Sequence, residues 1–160
     1  MRVPFSTRAL ALLSCLGLVG CGTDAPPSAP TLQLPFTSSA ASPVLFNNVQ
    51  GVVVGTTGGF AFGALNAGTQ SLVVQTVTYD GDEAMSLEPF VPPLPVTLTF
   101  NDELIVTLSC TPPTEAAYAG TVTVQSNAVN APQAVVYLSC VGTATPESQS
   151  LSGVTSTFSK

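Results

Sequence analysis

The residues able to do chemistry in this chain are few, and their spacing rules out more than it offers. There is no histidine anywhere. That excludes histidine-based catalytic triads and the common zinc hydrolase sites. Several Ser and Thr are present, but none has an identifiable base to activate it as a nucleophile. The acidic run Tyr79-Asp80-Gly81-Asp82-Glu83 places Asp80, Asp82 and Glu83 close enough to offer hard oxygen ligands to Ca²⁺. It lacks the twelve-residue spacing of an EF-hand, and Asp-Gly is an ordinary turn signal, so a solvated loop is the expected reading. Asp102 and Glu103 read in the same way, as a turn between strands. Paired carboxylates can hydrolyse glycosides, but Trp is absent and no aromatic platform for a sugar stands out. Phe60 and Phe62 read as core packing. The glycine run at 55–59 lacks the Lys-Ser/Thr and the helix of a phosphate loop and reads as a turn. No catalytic residue, no cofactor and no resident metal are expected, and the chain reads as not an enzyme.

Composition points the same way. Only 8 % of the 160 residues are charged, 45 % are hydrophobic, and Val, Thr, Ser, Gly and Pro dominate. Val and Thr suit pleated, half-buried strands, while Gly and Pro supply turns. Two of the three basic residues, Arg2 and Arg8, lie at the extreme amino end. Without that end, Lys160 stands alone against nine carboxylates, formally −8. A surface with one cation cannot neutralise a row of phosphates, so nucleic acid is excluded as a partner. Past residue 20 no unbroken apolar run approaches the roughly 20 residues of a spanning helix.

The first 20 residues have the layout of an export signal. Met1 to Thr7 carries Arg2, Arg8 follows, and Ala9 to Val19 is an apolar core too short to span a bilayer. The ending Leu18-Val19-Gly20-Cys21 resembles the lipobox of bacterial lipoproteins. That resemblance implies cleavage before Cys21, diacylglyceryl transfer to its thiol, palmitate-type acylation, and a membrane partner held through the lipid. Gly22, where inner-membrane lipoproteins commonly carry Asp, implies the outer membrane, on its periplasmic or its surface face. Each buried CH₂ contributes roughly 0.8 kcal/mol to such an anchor. Residues 21–41 then read as the lipidated Cys and a Pro/Ser/Ala-rich tether. Thr23 to Pro35 would reach about 40 Å at ~3.1 Å per residue.

With Cys15 in the signal and Cys21 the lipid candidate, Cys110 and Cys140 remain. Val106, Leu108 and Cys110 share one face of a strand, as do Val136, Leu138 and Cys140. Both thiols point to the apolar side in a protein that meets an oxidising compartment, so a Cys110–Cys140 disulfide is expected.

From 42 to 144 the chain alternates short Val/Leu/Thr runs with turn signals. Strands are expected at Val44 to Phe46 with Gly51 to Val54, Phe60 to Asn66, Ser71 to Tyr79, Ala84 to Glu88, Val96 to Phe100, Glu103 to Cys110, Gly120 to Ser126 and Gln133 to Val141. Seven to eight short strands at this spacing predict an all-β, immunoglobulin-like antiparallel β-sandwich. The clearest hairpin joins Thr121–Gln125 to Ala134–Leu138. Two stretches resemble the ASPM–SPD-2–Hydin (ASH) type of immunoglobulin-like domain found in bacterial surface proteins with varied anchors. At the opening these are Val52-Val53-Val54-Gly55-Thr56-Thr57 and Asn66-Ala67-Gly68 before Leu72-Val73-Val74. At the close they are Cys110-Thr111-Pro112, Tyr118 to Asn127, and Val135 to Thr143. The family has no fixed active site, so the resemblance implies a fold and a scaffold role. Residues 145–160 read as a Ser/Thr-rich tail, in which Gly153 to Phe158 could add an edge strand.

The function expected from sequence is therefore a membrane-anchored surface lipoprotein whose sandwich is a structural or protein-interaction module, with a protein partner of unknown identity. An accessory subunit of an envelope secretion, adhesion or motility machine is the alternative, and a carbohydrate-binding protein the third reading.

Overall fold

The structure, a computed structural model, describes residues 25–46 and 51–144. The stretch read as an export signal, Cys21 and the tail at 145–160 lie outside the described residues. Within them the chain forms ten strands and no helix: β1 (Leu32–Gln33), β2 (Val44–Leu45), β3 (Val52–Val53), β4 (Gly58–Asn66), β5 (Leu72–Gly81), β6 (Met85–Leu87), β7 (Val96–Leu98), β8 (Glu103–Cys110), β9 (Ala117–Ser126) and β10 (Gln133–Thr143). One sheet has the order β1-β4-β8-β6. The other has the order β2-β10-β9-β5-β7, with β3 also on β10. Pairing is antiparallel throughout except for β2 and β3, which run parallel to β10. The expected hairpin is present, with Thr121 opposite Tyr137 and Val124 opposite Ala134.

The core follows from alternation. In β8, Leu104, Val106, Leu108 and Cys110 are buried while Glu103, Ile105 and Thr107 face out. Val122 and Val124 of β9, and Val136, Leu138 and Cys140 of β10, meet them from the other sheet. Each fully buried Val or Leu contributes about 1.5–3 kcal/mol. Strand β5 changes phase: Leu72 and Val74 point inward, a bulge shifts the register between Val74 and Thr76, and Val77 points inward next. One extra residue in a strand moves every later side chain to the opposite face. That shift turns Thr76, Thr78 and Asp80 to the outside.

The open flanks between the sheets are closed by chain that crosses from one to the other. On one side, residues 34–46 run from β1 to β2 and bring Phe36 onto Phe62 (5.4 Å between ring centroids) and Phe60 (6.1 Å). Phe46 packs on Phe60 at 5.4 Å. Such ring pairs are each worth about 0.5–1.5 kcal/mol beyond their buried area. Phe60 and Phe62 are thus packing residues. On the other side Phe90 and Leu94, between β6 and β7, pack against the core.

The structure corrects the tether reading. The sandwich does not begin at 42, because Leu32 is 4 % exposed and lies opposite Asn66. The backbone of 27–31 is also tied in: Ala67 N–H donates to the Thr31 carbonyl (2.9 Å), Thr69 N–H to Pro27 (2.9 Å) and Val129 N–H to Pro30 (3.0 Å). Leu32, Leu34 and Phe36 form a short inward alternation that the surrounding Pro, Ala and Ser mask in a composition reading.

Gly68 is where this segment passes closest. A Cβ there would land on the Ala29 carbonyl oxygen, with Thr31 N at 2.9 Å. Gly68→Ala is expected to destabilise by about 1–3 kcal/mol and to speed hydrogen exchange at the Leu32 amide before that of Leu108. Urea melts with amide exchange check it.

Candidate functional site

One pole of the sandwich carries the acidic run, the disulfide and Tyr118. Asp80 and Gly81 are not a turn but the last two residues of β5, opposite Thr121 and Gly120. The strand continues because Asp82 latches it to β9. Its N–H donates to the Ala119 carbonyl (3.0 Å), and its carboxylate accepts the Ala119 N–H (2.6 Å). Tyr79 lies inside that corner against Gly120, with its hydroxyl donating to the Asp82 carbonyl (2.8 Å). Burial, and then the nearby charges of Asp82 and Asp80, hold the Tyr79 phenol above its ordinary value. Asp80, Asp82 and Glu83 are therefore used differently: Asp82 accepts a backbone amide, Asp80 projects from the sheet, and Glu83 lies exposed in the turn before β6. Among the described residues no three acidic, Cys or His side chains gather as a metal-holding group.

At the opposite pole Asp102 has a comparable structural role. Its carboxylate accepts the Thr99 hydroxyl (2.5 Å) and the Thr99 N–H (2.9 Å), closing a turn in which Asn101 has φ 65°. These bonds, the hydroxyl first, hold the Asp102 carboxyl below the ordinary aspartate value. A depressed folded-state value means that its contribution to stability is present above the unfolded value and is lost as pH falls through the folded one. In a carbon-detected NMR titration Asp102 is expected to titrate below the ordinary aspartate range and to return to it in Thr99→Val.

Cys110 and Cys140 are joined, linking β8 of one sheet to β10 of the other, and both are completely buried. The bridge expected from sequence is present. Beside it, the Tyr118 hydroxyl meets the Thr114 hydroxyl (2.8 Å), N–H (3.2 Å) and carbonyl (3.3 Å). A strand tyrosine bonded back to the preceding loop is a recurrent corner of immunoglobulin-like sandwiches. Sequence reasoning missed this role, and Tyr118 four residues after the Thr111-Pro112-Pro113-Thr114 loop is the signal that could have found it.

The feature that the sequence did not disclose is a cavity on the outer face of the larger sheet. Asp80, Thr121 and Tyr137 lie side by side on β5, β9 and β10. Ala40 and Pro43, from the crossing segment, form a rim above them, with Ser139 further along β10. The cavity holds about 310 Å³. Thr121 donates to the Asp80 carbonyl (3.3 Å). Among the described residues the Asp80 carboxylate and the Tyr137 and Ser139 hydroxyls have no hydrogen-bond partner.

No family model matches the chain, and no curated protein matches it in sequence. Solved structures do. The chain is similar to the ASH/PapD-like domain 7 of human CEP192, with a TM-score of 0.54 at 13 % identity over 89 % of this chain and 99 % of that one. It is also similar to part of the secreted serine protease VesC from Vibrio cholerae (TM-score 0.48, 11 % identity, 70 % of this chain and 23 % of that one). A third is WR4, a C. elegans MSP family member (TM-score 0.39, 9 % identity, 58 % and 91 %). The first likeness bears on fold alone, and it agrees with the observed sheets: this chain is an all-β, immunoglobulin-like sandwich similar in fold to that domain.

Proposed function

We propose that this chain is a lipid-anchored envelope protein whose immunoglobulin-like sandwich serves, without catalysis, as a docking module for another protein. The observation that carries the reading is the outer face of the larger sheet. Thr76, Thr78, Thr97, Thr121, Thr123, Gln125, Val135, Tyr137 and Val141 cover it, with Asp80 as the one charge, and no described segment of the chain lies over most of it. Surfaces of this composition, poor in charge, suit protein contacts, whose centres are depleted of charged residues. Away from that face, the side chains of Asn66, Tyr79, Asp82 and Asp102 are committed to holding the backbone together.

The anchor supports the same reading. Cys21 lies six residues before Pro27, the first of the described residues bonded to the sandwich, so at most about 21 Å of chain would separate domain and lipid. Residues 27–33 enter at the pole of Asn66 and Asn130. The pole with the disulfide and Asp82 would then point away from the bilayer, in the outer membrane. Two readouts test the proposal. Radiolabelled palmitate should enter the wild-type chain and not Cys21→Ser. A photoreactive residue at Thr78 should capture a protein on intact cells. Palmitate in neither chain removes the anchor, and a captured glycan removes the protein-docking role.

A further inference from the structure

We infer that the cavity above Thr121 is the seat of one basic side chain, an arginine or lysine on an extended segment of the partner, gripped between the Asp80 carboxylate and the Tyr137 ring. The inference rests on the docking-module reading and adds the chemistry of the contact.

Register sets the geometry. Asp80 stands opposite Thr121, and Thr121 opposite Tyr137, on adjacent antiparallel strands. Neighbouring strands lie about 4.8 Å apart, so carboxylate and ring rise from points about 10 Å apart with the small Thr121 as the floor between them. A cationic head fits that gap, with the carboxylate accepting its N–H groups and the ring face accepting its charge. The volume, about 310 Å³, is at the small end of ligand pockets, which run from about 300 to 1,000 Å³. It holds one long side chain and not a run of sugars.

Charge selects the ligand. The chain's three basic residues, Arg2, Arg8 and Lys160, all lie outside the described residues, so Asp80 has no cation from the described sandwich. An exposed carboxylate on the wall of a concave site, with no cation of its own beside it among the described residues, gains from a cation brought by another molecule. Exposed Val135 and Val141 lie on the same face of β10, either side of Tyr137 and Ser139. Leu45, opposite Ser139 on β2, is also exposed. Apolar residues flanking the partner's basic one would cover them.

The test uses the full chain in detergent micelles, ¹⁵N-labelled, and the capped peptide Thr-Val-Arg-Val-Thr. Amides of Thr121, Leu138 and Ser139 are expected to shift. Replacing the peptide's arginine by citrulline, equal in shape but uncharged, should weaken binding at least about tenfold. Asp80→Asn should do the same with an unchanged unfolding midpoint, since no described residue bonds to that carboxylate. Equal binding of the citrulline peptide, full binding by Asp80→Asn, or no shift at about 10 mM peptide overturns the inference. So does chitotriose shifting these amides where the arginine peptide does not. Photocapture at Thr78 separates the two levels. A protein partner captured in undiminished yield by Asp80→Asn overturns the basic seat and leaves the docking module standing, while loss of capture in that variant supports both.

Discussion

Replacing both Cys110 and Cys140 by alanine is expected to lower the unfolding free energy by about 3–4 kcal/mol. The two residues are 30 apart in sequence, and the cross-link restricts the unfolded chain by closing a loop of that length. For a domain of this size such a loss corresponds to a fall of roughly 12–20 °C in the melting temperature. The cost is concentrated at one pole. The bridge is the covalent tie between β8 and β10, hence between the sheets, beside the Tyr118 corner. Both cysteines are inaccessible to solvent, so reductant reaches them only when the sheets part. Reduction of the native protein should therefore be slow and should accelerate with urea in parallel with unfolding. Thermal melts of wild type and double variant, with and without reductant, measure this. Equal midpoints would show that the bridge adds nothing.

Asn66→Ala is expected to cost about as much, roughly 3–5 kcal/mol, at the opposite pole. Asn66 is wholly buried, and its amide makes four bonds. The NH₂ donates to the carbonyls of Gln70 (2.8 Å) and Leu98 (3.0 Å), and the oxygen accepts the N–H groups of Gly68 (3.0 Å) and Thr31 (3.5 Å). One side chain thus ties the β4–β5 turn to β7 and to the entering amino-terminal segment. Alanine removes all four bonds; those to Leu98 and Gly68 are buried, and a buried group so deprived costs about 1–3 kcal/mol before relaxation. Asn66→Asp should be no better, because a carboxylate would face the Gln70 and Leu98 carbonyls in place of the NH₂ group. Asn130 works similarly nearby, accepting the Leu32 N–H (3.0 Å) and donating to its carbonyl (2.8 Å), but at the surface, so Asn130→Ala should cost distinctly less. Urea denaturation of the three variants ranks them. A small effect at Asn66 would show that water replaces its bonds.

The long strands were legible in the sequence because period-two alternation over eight or more residues leaves little choice, as in Leu104-Val106-Leu108-Cys110. The same alternation placed Cys110 and Cys140 on facing inner surfaces. The short strands were harder. Val44 and Val52 were read as one broken strand, but alternation carries no direction, so their parallel pairing with β10 was hidden. Gly58 and Gly59 read as a turn yet pair with Cys110 and Ser109, because partners across the sheet outweigh the weak strand preference of glycine. Strand β1 was read as tether: it has two residues, and its burial depends on Gly68 and Asn130, far off in sequence. Asp80-Gly81 looked like a turn because the Asp82–Ala119 latch that prolongs β5 is a contact across 37 residues. The cavity was invisible for two reasons: the bulge in β5 sets which way Asp80 points, and its rim comes from the crossing segment.

The docking role itself is tested most directly by photocapture on intact cells, with the reactive residue at Thr78 on the larger sheet or at Thr107 on the outer face of the smaller one. Amine-directed reagents are poorly suited, since the chain's one lysine is Lys160. The account predicts a single protein captured in near-stoichiometric yield from Thr78 and little from Thr107. Capture of glycan, or of nothing, from Thr78 would contradict it.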